Sequence, residues 1–239
     1  MEKKKFFSAK NIAYFAVLLA LVVVLQCCGG FIKIGGTSLS FVLVPIVLGG
    51  ILLGPLAGGL LGFIFGFIVL MYGVSGADPF TGYLLTNSPV MTVLICLVKG
   101  VLAGIIPALI YKLIAKKNTL IAVVVAALLT PIINTGIFIL GCLIISGTVT
   151  GWMEYAVSNG WMEATVAVPY YLFVGCAGVN FIVEFAINVV LAPAIHRVVI
   201  VVEKQIGKKK KAVALLDQNE EEKAAENPQP EQAEQEKKS

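Results

Sequence analysis

Charged side chains are scarce in this sequence, and their scarcity excludes an ordinary soluble domain. Only 13% of the 239 residues are Asp, Glu, Lys or Arg, whereas 58% are hydrophobic. A soluble domain typically has about 25% charged residues. The formal net charge of +4 does not indicate nucleic-acid binding, because the basic residues form short clusters between long apolar runs. Such clusters are typical of the cytoplasmic segments of membrane proteins, so we expect an integral membrane protein.

Residues and motifs that usually carry chemistry are also few. His196 is the single histidine, and the five cysteines have no CxxC spacing, so we expect neither a metal site nor a disulfide framework. The sequence contains no GxxxxGK[ST], HExxH or GxSxG motif. It therefore predicts no ATP hydrolysis by this chain alone and no membrane protease. We expect a protein that is not an enzyme and that needs no cofactor.

The N-terminal segment is basic and then apolar, which is compatible with a signal peptide or with a retained helix. Leu25 and Gln26 precede Cys27, and they match a small-residue cleavage site poorly. The sequence therefore favours a retained first helix.

The apolar runs predict an all-α membrane protein with six transmembrane helices. Runs of about 17 to 25 residues, or shorter runs that end in turn residues, are typical of membrane spans. We expect the fifth span to bend at Pro131 and the sixth to continue through Val202. The predicted spans cover residues 12–26, 39–53, 56–72, 88–113, 120–146 and 168–195.

The distribution of basic residues predicts that both termini are cytoplasmic. Lysines precede the first span, lie between the fourth and fifth, and follow the sixth, while the opposite loops hold only Lys33. Residues 1–206 are thus expected to form a six-helix substrate-binding domain. Residues 207–239 are rich in Glu, Gln, Lys and Pro, and this composition predicts a disordered cytoplasmic tail.

Polar residues inside three spans predict a shared site. Lys99 lies in the apolar stretch MTVLICLVKGVLAG, and an ammonium near the bilayer centre costs about 2.5 to 3.5 kcal/mol on insertion scales. Asn134 and Thr135 follow Pro131, and Asn180 and Glu184 share one helix face. Counting about 1.5 Å per residue places the three groups at similar depth. Two interpretations stay open: interhelical hydrogen bonds with a Lys99–Glu184 ion pair, or a ligand site that uses the same groups.

The predicted external loops add aromatic and polar candidates. These residues could cover a pocket or anchor the chain at the membrane interface. As substrate contacts we predict Tyr83, Asn87, Trp152 and Trp161. Small residues form two stripes, of which Gly58, Gly62 and Gly66 favour close helix packing, while Ala13, Ala16 and Ala20 lie on one face of the first span.

Several segments in order resemble one family, the substrate-binding S components of energy-coupling factor (ECF) transporters. The resemblance covers about residues 10 to 200. It rests on the AxxxA of Ala16 and Ala20, FVLVPIVLGGILLGPLAGGLLGFIFG (41–66), Lys99 before Gly100, INTGIF (133–138) and NFIVEFAINVVLAP (180–193). Many members have arginine where this chain has Lys99, and a lysine does not form the bidentate clamp of an arginine.

The resemblance implies a function. The chain would capture a vitamin or related micronutrient at the external face of a cell membrane, expected to be a bacterial plasma membrane. A separate transmembrane coupling subunit would dock on Ala13, Ala16 and Ala20, and two ATPase subunits would supply the energy. The outer ends of spans four to six and the external loops would hold the substrate. Pantothenate, folate and riboflavin all remain open as substrates.

Two other functions remain open. The chain could be a self-sufficient secondary carrier coupled to protons through Glu184, although six spans without a repeat are few for such a carrier. It could also be an assembly partner that binds no ligand.

Overall fold

Helices form almost all of the described chain. The computed structural model describes the backbone of residues 9–29, 33–34, 37–38 and 41–226. Side chains are described for residues 10–29 and 41–205, except 179 and 203. Two short strands, β1 (Lys33–Ile34) and β2 (Thr37–Ser38), pair antiparallel. The helices are α1 (Ala9–Gly29), α2 (Leu43–Leu53), α3 (Pro55–Val74), α4 (Pro79–Asn87), α5 (Pro89–Ile114), α6 (Thr119–Ile144), α7 (Ser146–Ser158), α8 (Val168–Tyr170), a π-helix (Tyr171–Cys176) and α9 (Gly178–Glu226).

Prolines and short polar residues determine where the helices begin. Pro55, Pro79 and Pro89 each occupy the first turn of a helix, where the missing N–H costs nothing. Gly54 precedes α3 at φ 108°, a backbone conformation that favours glycine. Asn118 caps α6 by accepting a hydrogen bond from the Ile121 N–H at 3.0 Å. These local signals separate neighbouring spans by very short turns.

Within the described residues, five helices are long and apolar enough to cross a membrane. Their spans are Lys10–Gly29, Pro55–Val74, Pro89–Ile114, Thr119–Ile144 and Asn180–Val202. At about 1.5 Å per residue each reaches roughly 30 Å or more, the thickness of a bilayer core. The second predicted span is represented by α2, which has 11 residues and rises only about 16 Å. The prediction that six segments cross the membrane, with both termini in the cytoplasm, therefore stays a prediction.

Three segments differ from the sequence-based expectation. The predicted loops at residues 73–88 and 147–167 contain α4 and α7, so they are not irregular connections. The predicted sixth span is interrupted, since α8 and the π-helix precede α9. Its expected continuation through Val202 is confirmed, because α9 runs past that residue.

The C-terminal part of α9 also differs from the prediction. The backbone is helical through Glu226, where the sequence predicts a disordered tail from residue 207. The segment is rich in Ala, Glu, Lys and Leu, which are strong helix formers. By its internal contacts the chain forms two units, Met1–His196 and Arg197–Ser239. The functional boundary between a membrane domain and a tail stays a prediction.

The glycine stripe of α3 packs directly on the backbone of α5. A methyl group added at Gly62 would overlap the Gly100 carbonyl, and one at Gly58 or Gly66 would overlap the backbone of α5 in the same way. Only glycines permit this approach. The close-packing interpretation of the stripe is therefore confirmed, and we call this contact the α3–α5 glycine seam.

The first helix packs one face on the bundle and leaves another exposed. Leu18 and Val22 are buried against α2 and α3 with Ile46, Leu61 and Phe65. Ala13, Ala16 and Ala20 are exposed. The apolar contact of α1 thus leaves its small-residue stripe uncovered within the described chain.

Candidate functional site

A polar cleft lies inside the first unit, among α1, α3, α4, α5, α6 and the start of α9. It encloses about 660 Å³ of space, part of which is open to solvent. The lining residues are Gln26, Phe65, Val69, Tyr72, Asp78, Phe80, Thr81, Lys99, Asn134, Thr135, Phe138, Cys176, Ala177, Asn180 and Glu184.

The structure brings together all five polar residues that the sequence predicts from the spans. Lys99, Asn134, Thr135, Asn180 and Glu184 line this one cleft. They come from three helices, α5, α6 and α9. This agrees with the similar depth in the membrane that the sequence predicts for them. Lys99, Asn134 and Glu184 are buried, while Thr135 and Asn180 are half-buried.

Lys99 is held by aromatic rings. Its Nζ lies 5.0 Å from the centroid of the Phe138 ring and 5.8 Å from that of Phe65. Both distances are within the range of a cation–π interaction, which gains strength when water is excluded. Gly100, the next residue, belongs to the glycine seam. The seam therefore fixes the turn of α5 that carries the ammonium.

Glu184 lies in the cleft with groups from both other helices of the site. Lys99 and Asn134 line the same space, and Glu184 is only 4% exposed. Asn134 Oδ1 is buried and has no hydrogen-bond partner among the described residues, so it can still accept one. Asn188, one turn further along α9, donates to the Glu184 carbonyl at 2.8 Å and does not line the cleft. A direct Lys99–Glu184 ion pair stays a prediction.

Asp78 is a cleft residue that the sequence analysis missed. It precedes α4 and is only 8% exposed. Its Oδ1 accepts from the Thr81 N–H at 3.2 Å, and its Oδ2 accepts from Thr81 Oγ1 at 2.7 Å. The pattern Asp-Pro-x-Thr predicts a capped helix start, but it carries no signal that the cap is buried in a cleft that a lysine from another helix also lines.

The predicted loop residues lie elsewhere. Tyr83, Trp152 and Trp161 form a separate aromatic cluster with Phe80, Tyr155 and Tyr171. Trp152 is buried, and its Nε1–H donates to the Tyr171 hydroxyl at 2.7 Å. Asn87 is exposed and donates to the Tyr83 carbonyl at 2.9 Å. Only Phe80 of this cluster lines the cleft. A substrate contact by Tyr83, Asn87, Trp152 or Trp161 stays a prediction.

The chemistry of the cleft suits recognition. It offers an ammonium, two carboxylates, amide groups and aromatic rings, which together can orient a small polar molecule. No group of three His, Cys, Asp or Glu residues able to hold a metal occurs in the part of the chain that the structure describes. Fold and cleft are those of a multi-pass membrane protein with an internal polar cleft.

The family comparison identifies this class more closely. The model of the family described as "ECF transporter, substrate-specific component" matches residues 10–196. This match covers most of the chain, so the protein belongs to that family and is a substrate-binding membrane subunit of an ECF transporter. Such subunits bind for transport and are not enzymes themselves. No curated protein and no solved structure matches the chain.

Proposed function

We propose that this protein captures a vitamin or related micronutrient in the polar cleft and presents it to the rest of an ECF importer. The observation that carries the proposal is the convergence of Lys99, Asn134, Thr135, Asn180 and Glu184 on one cleft. Ionisable residues inside a membrane protein commonly mark the path of a substrate or ion. A purely structural network would have no need of the open space between them.

Three of these polar residues and two aromatic rings contact the substrate in this proposal. The Lys99 ammonium donates to a carbonyl or carboxylate oxygen of the substrate. Asn134 and Asn180 hydrogen-bond to its polar edge, and the Phe80 and Tyr72 rings pack against its flat faces. Asn134 Oδ1 has no hydrogen-bond partner in the described part of the chain, which supports such a ligand contact, since buried polar atoms are normally satisfied.

Transport needs partner subunits in this proposal. Ala13, Ala16 and Ala20 form an exposed stripe on α1, and small residues allow another helix to approach closely. A transmembrane coupling subunit docks there, and two ATPase subunits hydrolyse ATP. The complex works in the plasma membrane of a bacterium.

Uptake measurements test the proposal against its alternatives. Cells or proteoliposomes with the complete transporter should accumulate a radiolabelled vitamin, and uptake should stop when the ATPase subunits are omitted. Proton-driven uptake by this chain alone would instead identify a carrier that uses Glu184. If no small molecule copurifies with the chain in mild detergent, as judged by mass spectrometry, and no vitamin binds, an assembly partner without a ligand is indicated.

A further inference from the structure

A polar residue ends the buried face of α1. Leu18, Val22 and Gln26 follow one another at intervals of four residues, which places them on one side of a helix. They are 5%, 0% and 2% exposed. The first two pack in an apolar core with α2 and α3, whereas Gln26 lines the polar cleft. Burial of an amide is costly unless the amide makes hydrogen bonds, so an apolar side chain would suit a purely packing role at this position better.

Tyr72 of α3 holds the turn of α1 that carries Gln26. Its hydroxyl donates to the Gln26 backbone carbonyl at 3.2 Å. The last four carbonyls of a helix have no N–H partner within that helix, and Gln26 lies in the last turn of α1, which ends at Gly29. The hydrogen bond therefore satisfies such a carbonyl and fastens the end of α1 to α3. Because Tyr72 also lines the cleft, this contact lies at the wall of the cleft itself.

The face of α3 that meets α1 continues to the lysine of the cleft. Phe65 belongs to the apolar core under α1, and it also lines the cleft. Its ring centroid lies 5.8 Å from Lys99 Nζ. Phe65, Val69 and Tyr72 recur at helical spacing and all line the cleft. One side of α3 thus connects the ammonium with the end of α1 that carries Gln26.

We infer that Gln26 contacts the substrate through its side-chain amide and that Tyr72 is the residue that positions it. This inference rests on the proposed function, and it adds α1 to the helices that hold the substrate. An amide can both donate a hydrogen bond and accept one, so Gln26 supplies a neutral polar contact in addition to the charged contact from Lys99. The helix with the exposed small-residue stripe then also touches the substrate.

Binding measurements on the full chain in detergent test the role of Gln26. The chain is titrated by calorimetry with riboflavin, pantothenate, folate and any small molecule that copurifies with it, and the tightest of these probes is used for every variant. Gln26→Met removes the amide and keeps a side chain of similar length. Affinity should fall about three- to tenfold, as loss of one neutral hydrogen bond allows. The unfolding midpoint without probe should not fall, because an apolar side chain suits the buried position.

Tyr72→Phe tests the positioning role. It removes the hydroxyl that binds the Gln26 carbonyl and keeps the ring, so affinity should fall about two- to fivefold. In a chain that already has Gln26→Met, the same change should have almost no further effect, because the amide that Tyr72 positions is absent. A hydroxyl that only stabilises the fold would lower affinity by the same factor in both chains.

Tyr14→Phe is the matched control for the loss of a hydroxyl. Tyr14 is half-buried, as Tyr72 is, and it lies on α1 outside the cleft lining. Its affinity for the probe should equal that of the unchanged chain.

Several results would overturn the inference. Unchanged affinity in Gln26→Met would show that the amide only fills space in the wall. Equal losses from Tyr72→Phe with and without Gln26→Met would remove the positioning role. If Gln26→Met does not fold, Tyr72→Phe must still weaken binding more than Tyr14→Phe does, or the inference is wrong. Binding of a probe that neither variant alters contradicts the inference alone, whereas a chain that binds no probe contradicts the proposed function as well.

Discussion

The two sides of α5 are built in opposite ways. On one side the glycine seam brings the backbone of α3 against that of α5, with no room for a methyl group at Gly62 or Gly100. The other side borders the cleft, which holds open space and buried polar groups. On α6, at a position outside the cleft lining, a methyl group added at Gly136 would meet nothing within 4 Å. Glycine thus serves tight packing at the seam, whereas Gly136 has no such role.

This difference indicates how one helix can provide both rigidity and a binding surface. Lys99 and Gly100 are adjacent in sequence, so the residue that is locked in the seam determines the position of the ammonium. The opposite wall includes the end of the π-helix, at Cys176. Irregular turns of this kind are frequent at functional sites. We therefore expect the seam to determine stability and the cleft to determine affinity.

The largest expected effect is at the seam. Gly62→Ala places a methyl group on the Gly100 carbonyl, and overpacking of this kind costs about 1 to 3 kcal/mol or more. Because two backbones are in contact, neither can yield by a simple rotamer change. Thermal unfolding in detergent should show a clearly lower midpoint.

The matched control for the seam is Gly136→Ala. The same methyl group enters open space there, and alanine favours a helix over glycine by about 1 kcal/mol. Its unfolding midpoint should equal or exceed that of the unchanged chain. Similar midpoints for the two alanine variants would show that the seam is no more sensitive to an added methyl group than the open position on α6.

The next largest effect is expected at Lys99. Lys99→Ala removes the only ammonium of the cleft lining, and loss of a hydrogen bond from a charged group should weaken ligand binding roughly tenfold or more. Folding should change much less, because the seam beside it is intact. Calorimetry with the copurifying small molecule and thermal unfolding measure the two effects separately.

A structural role for Lys99 predicts another pattern. Lys99→Ala and Glu184→Ala would each destabilise the fold by leaving an unpaired buried charge. The double variant would then recover both stability and an affinity close to that of the unchanged chain. That result would show that Lys99 stabilises the fold and does not bind the ligand.

The sequence predicts the seam and the polar wall well, because both depend on local patterns. Glycines at every fourth position must face a neighbouring helix, and Lys99 and Glu184 stand out in apolar runs. Prolines with a preceding cap residue likewise predict the start of α5. Ser88 is that cap residue, yet its hydroxyl pairs with Thr148 of α7 at 2.7 Å. This long-range pairing has no signal in the sequence.

The rest depends on tertiary packing. α4 and α7 are short and lie in segments with Gly, Ser and Thr, so their helical periodicity is weak. Asp78 looks like an ordinary turn residue until packing buries it. Trp152 could equally anchor a loop at the membrane surface, and only the folded chain shows it buried among other rings. A single sequence does not distinguish these environments.

A smaller, more selective effect is expected on α1, where small residues are exposed and not packed in a seam. Enlarging Ala16 and Ala20 to leucine leaves the cleft unaltered, since neither residue lines it. It should fill the face on which we propose that a coupling subunit docks. We expect loss of uptake in the complete transporter with unchanged ligand affinity.

Ala186→Leu is the control for this docking face. Ala186 is exposed on α9, so the same enlargement falls on another surface of the bundle and should preserve uptake. Normal assembly and transport by both α1 variants would show that the docking face is elsewhere.

The smallest effect is expected from a change outside both sides of α5. Ending the chain after Lys211 removes a segment dominated by Glu, Gln, Lys and Ala, and such a composition has little apolar surface to bury. The cleft residues all precede this segment, so ligand affinity should stay the same. The cut also falls within α9, whose new end should fray without disturbing the turns that carry Asn180 and Glu184.

Thermal unfolding and calorimetry on the shortened chain measure stability and ligand affinity. A markedly lower unfolding midpoint would mean that the C-terminal segment contributes to folding, and a changed affinity would mean that the cleft depends on more than the helices that line it.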